Sequence, residues 1–199
     1  MNDPIMKMRR LNPGCPVLIF DIPRLIKKEL DQFVRESRRI KNHPLAELKA
    51  HENVGYKHPD APREKYNSYQ CTIPTHLVAN SFWLAWVLKL TGEYWGMEKG
   101  HRSFKLRMWP GHFDGYDLWT NFAYKGDSNP THAHAGFLSG VIYYKNHGHP
   151  TIFDEYGCSY EGKDGTMVMF PSEVFHHVEE QTANKERITL AFNIVPYNS

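Results

Sequence analysis

His132 and His134 stand two residues apart in Asn129-Pro-Thr-His132-Ala-His134-Ala-Gly-Phe-Leu-Ser-Gly-Val-Ile-Tyr-Tyr144. In an extended strand, residues i and i+2 face the same way. The two imidazoles can therefore meet one metal ion; the plainer alternative is a polar pair where a loop enters a strand. Histidine returns at His176-His177, behind Gly165-Thr-Met-Val-Met-Phe-Pro-Ser172. The same period sends one of that pair inward and the other outward. Arg187 then opens the apolar run Arg187-Ile-Thr189-Leu-Ala-Phe-Asn193. An inward guanidinium there needs an anion, because an unpaired buried charge is costly. A carboxylate ligand supplies one through a bidentate pair, with the Thr189 hydroxyl on the same face. The alternative is an exposed arginine paired with Glu186 or Glu180.

These groups need elements to hold them, and the chain changes character near Gly100. Pro16–Pro23 reads as a short edge strand between prolines. Arg24–Lys41 carries Leu25, Ile26, Leu30, Phe33, Val34 and Ile40 among charges, at helical spacing. Asn42–Cys71 is rich in proline and polar residues and reads as a long loop. Thr75 is a candidate N-cap for a second, strongly apolar helix from His76 to Tyr94. After Gly100 come short strand-like runs at Ser103–Trp109, Asp117–Tyr124, Phe137–Tyr144, Thr151–Phe153, Thr166–Phe170, His176–Glu179 and Arg187–Val195, with turn residues between them. Helices first and strands later indicate an α+β chain, mainly β, with helices on one outer face of a sandwich or barrel. We expect a single domain over 1–199: residues 1–100 give a strand and supporting helices, and residues 101–199 give the core.

The chain has 199 residues, with 24 Lys+Arg against 22 Asp+Glu, so its net charge is +2. That supplies no field to hold nucleic acid or an anionic membrane without specific contacts. No apolar run approaches the ~18 residues of a membrane span, and the first residues lack the apolar stretch of a signal peptide. Three cysteines without CxxC spacing suggest neither a disulfide framework nor a zinc knuckle. A cytoplasmic protein is the expectation. The aromatic second helix is a candidate dimer surface, though core is the simpler role. His147 and His149 flank Gly148 in what reads as a surface turn.

The order HxH, a strand ending Tyr-Tyr, an Ile152-Phe153 strand, Phe-Pro-Ser172 leading to His176-x-Val178, then Arg187-x-Thr189 resembles the 2-oxoglutarate/Fe(II)-dependent oxygenases. Within that superfamily it is most similar to the prolyl-hydroxylase-like branch and to oxygenases carrying HxHP…LSGVYY and FPS…HxV. The resemblance runs from Leu118 to Val195. It implies a double-stranded β-helix, the cupin-like jelly roll, with N-terminal helices packed on one sheet. It implies a hydroxylase that binds Fe(II), consumes O2 and 2-oxoglutarate, and releases succinate and CO2 while acting on a small molecule or a peptidyl side chain.

Carried over by residue, the resemblance makes His132 and His176 metal ligands and turns His177 away. It assigns the far carboxylate of 2-oxoglutarate to Arg187, Thr189 and Tyr144. The sequence departs from the family at His134, where HxD has its carboxylate. A 2-His-1-carboxylate set is the usual ferrous site, and three neutral histidines leave it one negative charge short. His134 is the preferred third ligand, and Asp154, at the end of the Ile152-Phe153 strand, is the alternative carboxylate. No catalytic side chain is expected beyond the metal centre. Trp119, Asn121 and Asn193 are candidate pocket residues, and both asparagines need partners if buried. A cupin-like metal-binding protein, a metalloenzyme that uses no 2-oxoglutarate, or a non-catalytic jelly roll are the rivals. The cupin-like reading does not require Arg187 and Tyr144.

Overall fold

The computed structural model describes residues 8–41, 69–96, 103–108 and 116–197. The first elements are β1 (Met8–Arg10), β2 (Leu18–Asp21), α1 (Arg24–Lys41), β3 (Tyr69–Thr72), α2 (Thr75–Val78) and α3 (Phe82–Thr91). α3 runs on into a π-helical turn at Gly92–Gly96. Then come β4 (Phe104–Leu106), β5 (Leu118–Ala123), β6 (Asn129–His132), β7 (Leu138–Lys145), β8 (Thr151–Phe153), β9 (Cys158–Tyr160), β10 (Thr166–Pro171), β11 (His176–Val178) and β12 (Arg187–Pro196). The larger sheet has the order β1-β2-β10-β7-β12-β5-β3, with β4 pairing to the end of β12; the smaller has the order β6-β11-β8-β9. All the pairings are antiparallel. This is the expected jelly roll, with helices packed on the outside of its larger sheet.

β12 explains how the large sheet serves two cores. Every residue from Arg187 to Ile194 is buried. Ile188, Leu190, Phe192 and Ile194 join the apolar cluster beneath the helices. By the period of two, Arg187, Thr189, Ala191 and Asn193 face the opposite way, into the interior between the sheets. A second cluster containing Tyr143, Phe153, Val168 and Phe170 fills part of that interior. A strand buried on both faces shows no polar alternation to the sequence reader.

α1 buries Ile26, Leu30, Phe33 and Val34, the i, i+4, i+7, i+8 stripe of an amphipathic helix. Leu25, expected on that face, is exposed. Glu29 of α1 accepts the backbone N–H groups of Phe82 and Trp83 at 2.9 and 2.7 Å. It thereby places a carboxylate at the positive end of α3. The ring of Trp83 then meets Phe33 and Phe192 edge-on, which joins both helices to the sheet.

Three local expectations differ from the structure. The Pro16–Pro23 strand is not an edge: β2 lies between β1 and β10, and its prolines flank the strand rather than interrupt it. The second helix is not continuous from a Thr75 cap. It breaks after Val78, and Ser81 caps α3 by accepting the Leu84 N–H at 3.1 Å, the role for which serine is suited. Within the stretch read as a loop from Asn42, β3 pairs with β5. Residues 42–68, together with Trp109 and the 111–115 turn, lie outside the described residues. Cys15, Cys71 and Cys158 are buried, and none of them forms a disulfide among the described residues. No described helix is long and apolar enough to cross a membrane.

Candidate metal centre

The imidazoles of His132, His134 and His176 converge, with their ligand-capable nitrogens all within 4.8 Å of one another. Ring centroids are 4.3 Å apart for His132 and His176, 4.9 Å for His132 and His134, and 5.3 Å for His134 and His176. The first pair follows from strand register: β6 and β11 are neighbours, and His176 sits opposite His132. His134 arrives by another route. β6 ends at His132, and the backbone N–H of His134 donates to the carbonyl of Ser172 at 2.9 Å. The expected strand geometry, two residues on one face, therefore does not place it.

His132 Nδ1 lies 2.7 Å from the Pro130 carbonyl, and His176 Nδ1 lies 3.0 Å from the Val174 carbonyl. A carbonyl only accepts, so each Nδ1 carries the hydrogen and each Nε2 keeps its lone pair. Each ring is thus oriented by its own strand, the way ligating histidines are held. Burial favours the neutral form of all three. It holds His176 down to about 3 and His134 well below the ordinary imidazole value, with the neighbouring imidazoles adding to the effect. His132 is also lowered by burial, partly offset by its bond to Pro130. Three neutral nitrogen donors in close reach suit a divalent first-row metal.

His177 faces the other way from His176. Its Nδ1 is 2.8 Å from Asp154 Oδ1, and Asp154 Oδ2 accepts from Thr131 Oγ1 at 3.2 Å. Asp154 therefore stands with the outward residues of the small sheet, not with the three imidazoles.

Arg187 is 6% exposed, and none of the described residues offers it a carboxylate. Its Nε–H donates to Asn146 Oδ1 at 2.6 Å. Asn146 is completely buried and was not singled out from the sequence, although it precedes the His147–His149 turn. Its side-chain amide donates to the carbonyls of His149 and Glu161, and its backbone N–H donates to Asp164. The Arg187 fork is thus held at one nitrogen and keeps its terminal N–H groups. Tyr143 is the other neighbour. Its ring is fully buried, its hydroxyl donates to Thr151 Oγ1 at 2.9 Å, and burial pushes its phenol up to about 12. A Cβ on Gly162, at φ +63, would meet the Tyr143 ring at 2.2 Å and the Asn146 amide at 2.7 Å. Glycine at that position lets the chain close over both.

Tyr144 is a correction. It lies on the opposite face of β7, and its hydroxyl donates to Asp31 of α1 at 2.8 Å. Ser139, Val141 and Tyr143 alternate with Gly140, Ile142 and Tyr144, so the interior tyrosine is Tyr143.

A chain of contacts joins the two halves of the interior. The Trp119 ring lies 5.9 Å from that of His134. Trp119 Nε1 donates to Asn121 Oδ1 at 3.0 Å, and Asn121 Nδ2 donates to Thr189 Oγ1 at 3.3 Å. Asn121 thus spends its amide on Trp119 and Thr189. Asn193 spends its own on Ser139 Oγ and Asp117 Oδ2, at 2.6 and 2.7 Å. Asp117 is 1% exposed, and burial raises its carboxyl to about 6 against the opposing Asn193 bond. His147 and His149, read as a surface turn, bond to the carbonyls of Glu186 and Glu179.

A buried guanidinium with no carboxylate among the described residues, in a chain that also brings three neutral imidazoles together, offers donors for an anionic ligand and for a divalent cation. Residues 146–193 match a family model described as "Putative 2OG-Fe(II) oxygenase". A search of curated proteins finds no match. Among solved structures, the viral collagen prolyl hydroxylase of Paramecium bursaria Chlorella virus-1, in complex with 2-oxoglutarate, is similar. The TM-score is 0.60 at 14% identity, over 92% of this chain and 97% of that one. A prolyl-4-hydroxylase from Pseudomonas putida gives a TM-score of 0.57 at 16% identity, over 91% and 94%. A rice dioxygenase for auxin oxidation gives 0.55 at 14%, over 92% and 75%. At these identities the likeness concerns the fold. With the family match, it bears out the resemblance to the 2-oxoglutarate/Fe(II)-dependent oxygenases.

Proposed function

We infer that this chain works as a 2-oxoglutarate/Fe(II)-dependent oxygenase that hydroxylates a peptidyl or small-molecule substrate, with release of succinate and CO2. The observation that carries the reading is Arg187: a buried guanidinium without a carboxylate among the described residues, facing an interior that also holds three neutral imidazoles. In this reading His132 and His176 present their Nε2 lone pairs to the metal, and His134 presents one of its ring nitrogens. Arg187, with the Thr189 hydroxyl beside it, holds the far carboxylate of 2-oxoglutarate. Tyr143 takes the place expected of Tyr144, and Asn146 aims the Arg187 fork. Trp119 and Asn121 wall the space between these two groups. Bound Fe(II) and 2-oxoglutarate supply the O2 activation that no protein side chain offers.

The chain's own part is to orient these groups and to exclude water. The rings of Phe153 and Phe170, with centroids 6.3 and 4.8 Å from that of His176, would shield that side of a bound metal from water. The absence of a protein carboxylate among the three donors leaves the ligand's own carboxylate as the charge that balances the metal.

Two of the similar structures are prolyl hydroxylases, so a proline-containing peptide is the first substrate class to test. The test incubates the protein with Fe(II), 2-oxoglutarate and O2 against peptide and metabolite panels, reading succinate and a mass gain of one oxygen. Matched release of succinate and hydroxylated product supports the reading. Succinate no higher than in a metal-free blank, across all panels, would contradict it.

One observation favours a second reading. A set of three histidines also suits Zn(II) with a bound water, as in a cupin-like or hydrolytic metalloprotein. Arg187 would then hold some other anion, and 2-oxoglutarate would not be consumed.

A further inference from the structure

His134 differs from its two partners in how it is held. The rings of His132 and His176 are fixed through Nδ1 by carbonyls of their own strands. Among the described residues no side-chain hydrogen bond fixes the His134 ring, and the residue lies beyond the end of β6. Its backbone is gripped instead at two points. The N–H of His134 donates to the Ser172 carbonyl at 2.9 Å. The next carbonyl, that of Ala135, accepts from Arg107 Nη1 at 2.8 Å.

Both grips trace back to one buried carboxylate. Arg107 Nη1 lies 3.7 Å from Asp117 Oδ2, and the Asp117 side chain is 1% exposed against 20% for Arg107. A carboxylate buried this far needs a cation or donors close by. From Asp117 Oδ2 a polar chain runs through Asn193 at 2.7 Å, to Ser139 at 2.6 Å, to Ser172 Oγ at 2.9 Å. Backbone bonds brace the same corner: Arg107 N–H to the Asn193 carbonyl at 2.9 Å, and Asp117 N–H to the Arg107 carbonyl at 2.7 Å. A Cβ on Gly136 would press on Ser172 Oγ at 2.9 Å and on the Ile194 carbonyl at 3.3 Å. The segment after His134 is therefore seated directly on this network.

We propose that Arg107, held by Asp117, is the positioning residue for the third imidazole: it clamps the Ala135 carbonyl and so turns His134 toward His132 and His176. The proposal rests on the reading of the three histidines as one metal site. It assigns Arg107 no contact with metal or substrate. Supporting residues of this kind typically set metal affinity by ~10–100-fold.

The test uses Co(II) alone with metal-free protein and needs no cosubstrate or turnover. His134→Ala should weaken Co(II) binding strongly. Arg107→Met should weaken it by at least ~10-fold, and the double variant should bind no worse than His134→Ala alone. Arg107→Lys, which can still donate to Ala135, should recover part of the loss. Asp117→Asn should fall between wild type and Arg107→Met. Far-UV circular dichroism establishes that each variant is folded. Proton spectra of the Co(II) protein should show one ring fewer among the shifted imidazole signals in Arg107→Met, a change that general loosening does not produce. Wild-type affinity in Arg107→Met, or losses that add in the double variant, would overturn the positioning role. Wild-type affinity in His134→Ala would remove His134 from the metal site and the proposal with it.

Discussion

Arg187 Nε donates to Asn146 Oδ1 at 2.6 Å, and Asn146 is in turn fixed by Asp164 and by two carbonyls. A buried cation is thus aimed by a neutral amide and has no carboxylate among the described residues. A neutral partner orients a guanidinium without cancelling its charge, so the charge stays available to a ligand.

Arg187→Met should raise the apparent KM for 2-oxoglutarate while leaving metal affinity unchanged. A charge-assisted pair whose carboxylate is left buried costs about 2–5 kcal/mol, which is ~30-fold or more in binding. The metal-free protein should change little in thermal stability, because removing a buried charge that lacks an ionic partner among the described residues relieves desolvation and offsets the loss of the donor to Asn146 Oδ1. Kinetics and thermal melts on one preparation check both parts. A large loss of stability with an unchanged KM would make Arg187 a structural residue.

Tyr143→Phe and Tyr144→Phe separate the two tyrosines. Tyr144→Phe removes a bond to Asp31 on the helix side, at a cost of about 1 kcal/mol in stability and none in cosubstrate binding. Tyr143→Phe should weaken 2-oxoglutarate binding. The opposite pattern would mean that β7 presents its other face to the ligand.

Much of the fold was legible, because β7, β10 and β12 are apolar runs bounded by turn residues. What was hidden has physical causes. β7 is apolar on both faces, so nothing in Leu138–Lys145 tells which tyrosine points inward; the family spacing chose Tyr144, and packing chose Tyr143. β6 contains Pro130 and survives as a strand because it is the edge of the small sheet. The three histidines were legible as types and order, yet His134 is placed by the irregular segment after β6 and not by strand period. Asn146, and the network from Arg107 to Ser172, join residues distant in sequence, so only tertiary structure brings them together.

His177→Ala and Asp154→Asn should leave metal affinity within about threefold of wild type, since the pair lies on the outward side of the small sheet. His176→Ala should abolish binding. Metal content after dialysis checks this. Loss of metal in Asp154→Asn would return a carboxylate to the site.

Acid should destabilise the metal-free protein through its histidines. His176 falls from an ordinary value of 6.5 to about 3 in the fold. Below pH 6.5 the unfolded chain takes up a proton that the folded ring refuses, so stability falls as pH drops toward 3. The slope is about 1.4 kcal/mol per pH unit for one such group. His132 and His134 shift in the same direction. Asp117 opposes them: its carboxyl is raised from 3.8 to about 6, so its protonation between pH 6 and 4 favours the folded state. The clean readout is therefore a comparison of denaturant midpoints for wild type and His176→Gln at pH 7 and pH 5. The variant should show the smaller loss at pH 5; an equal loss would mean that His176 is solvated and ordinary.

The most direct measurement is an anaerobic calorimetric titration of 2-oxoglutarate into wild type, metal-free wild type and Arg187→Met, with Fe(II) present in the first and last. The account predicts one saturable site in Fe(II)-loaded wild type, and binding too weak to measure both without metal and in Arg187→Met. Equal binding by Arg187→Met and wild type, or no binding by the Fe(II)-loaded protein, would contradict it.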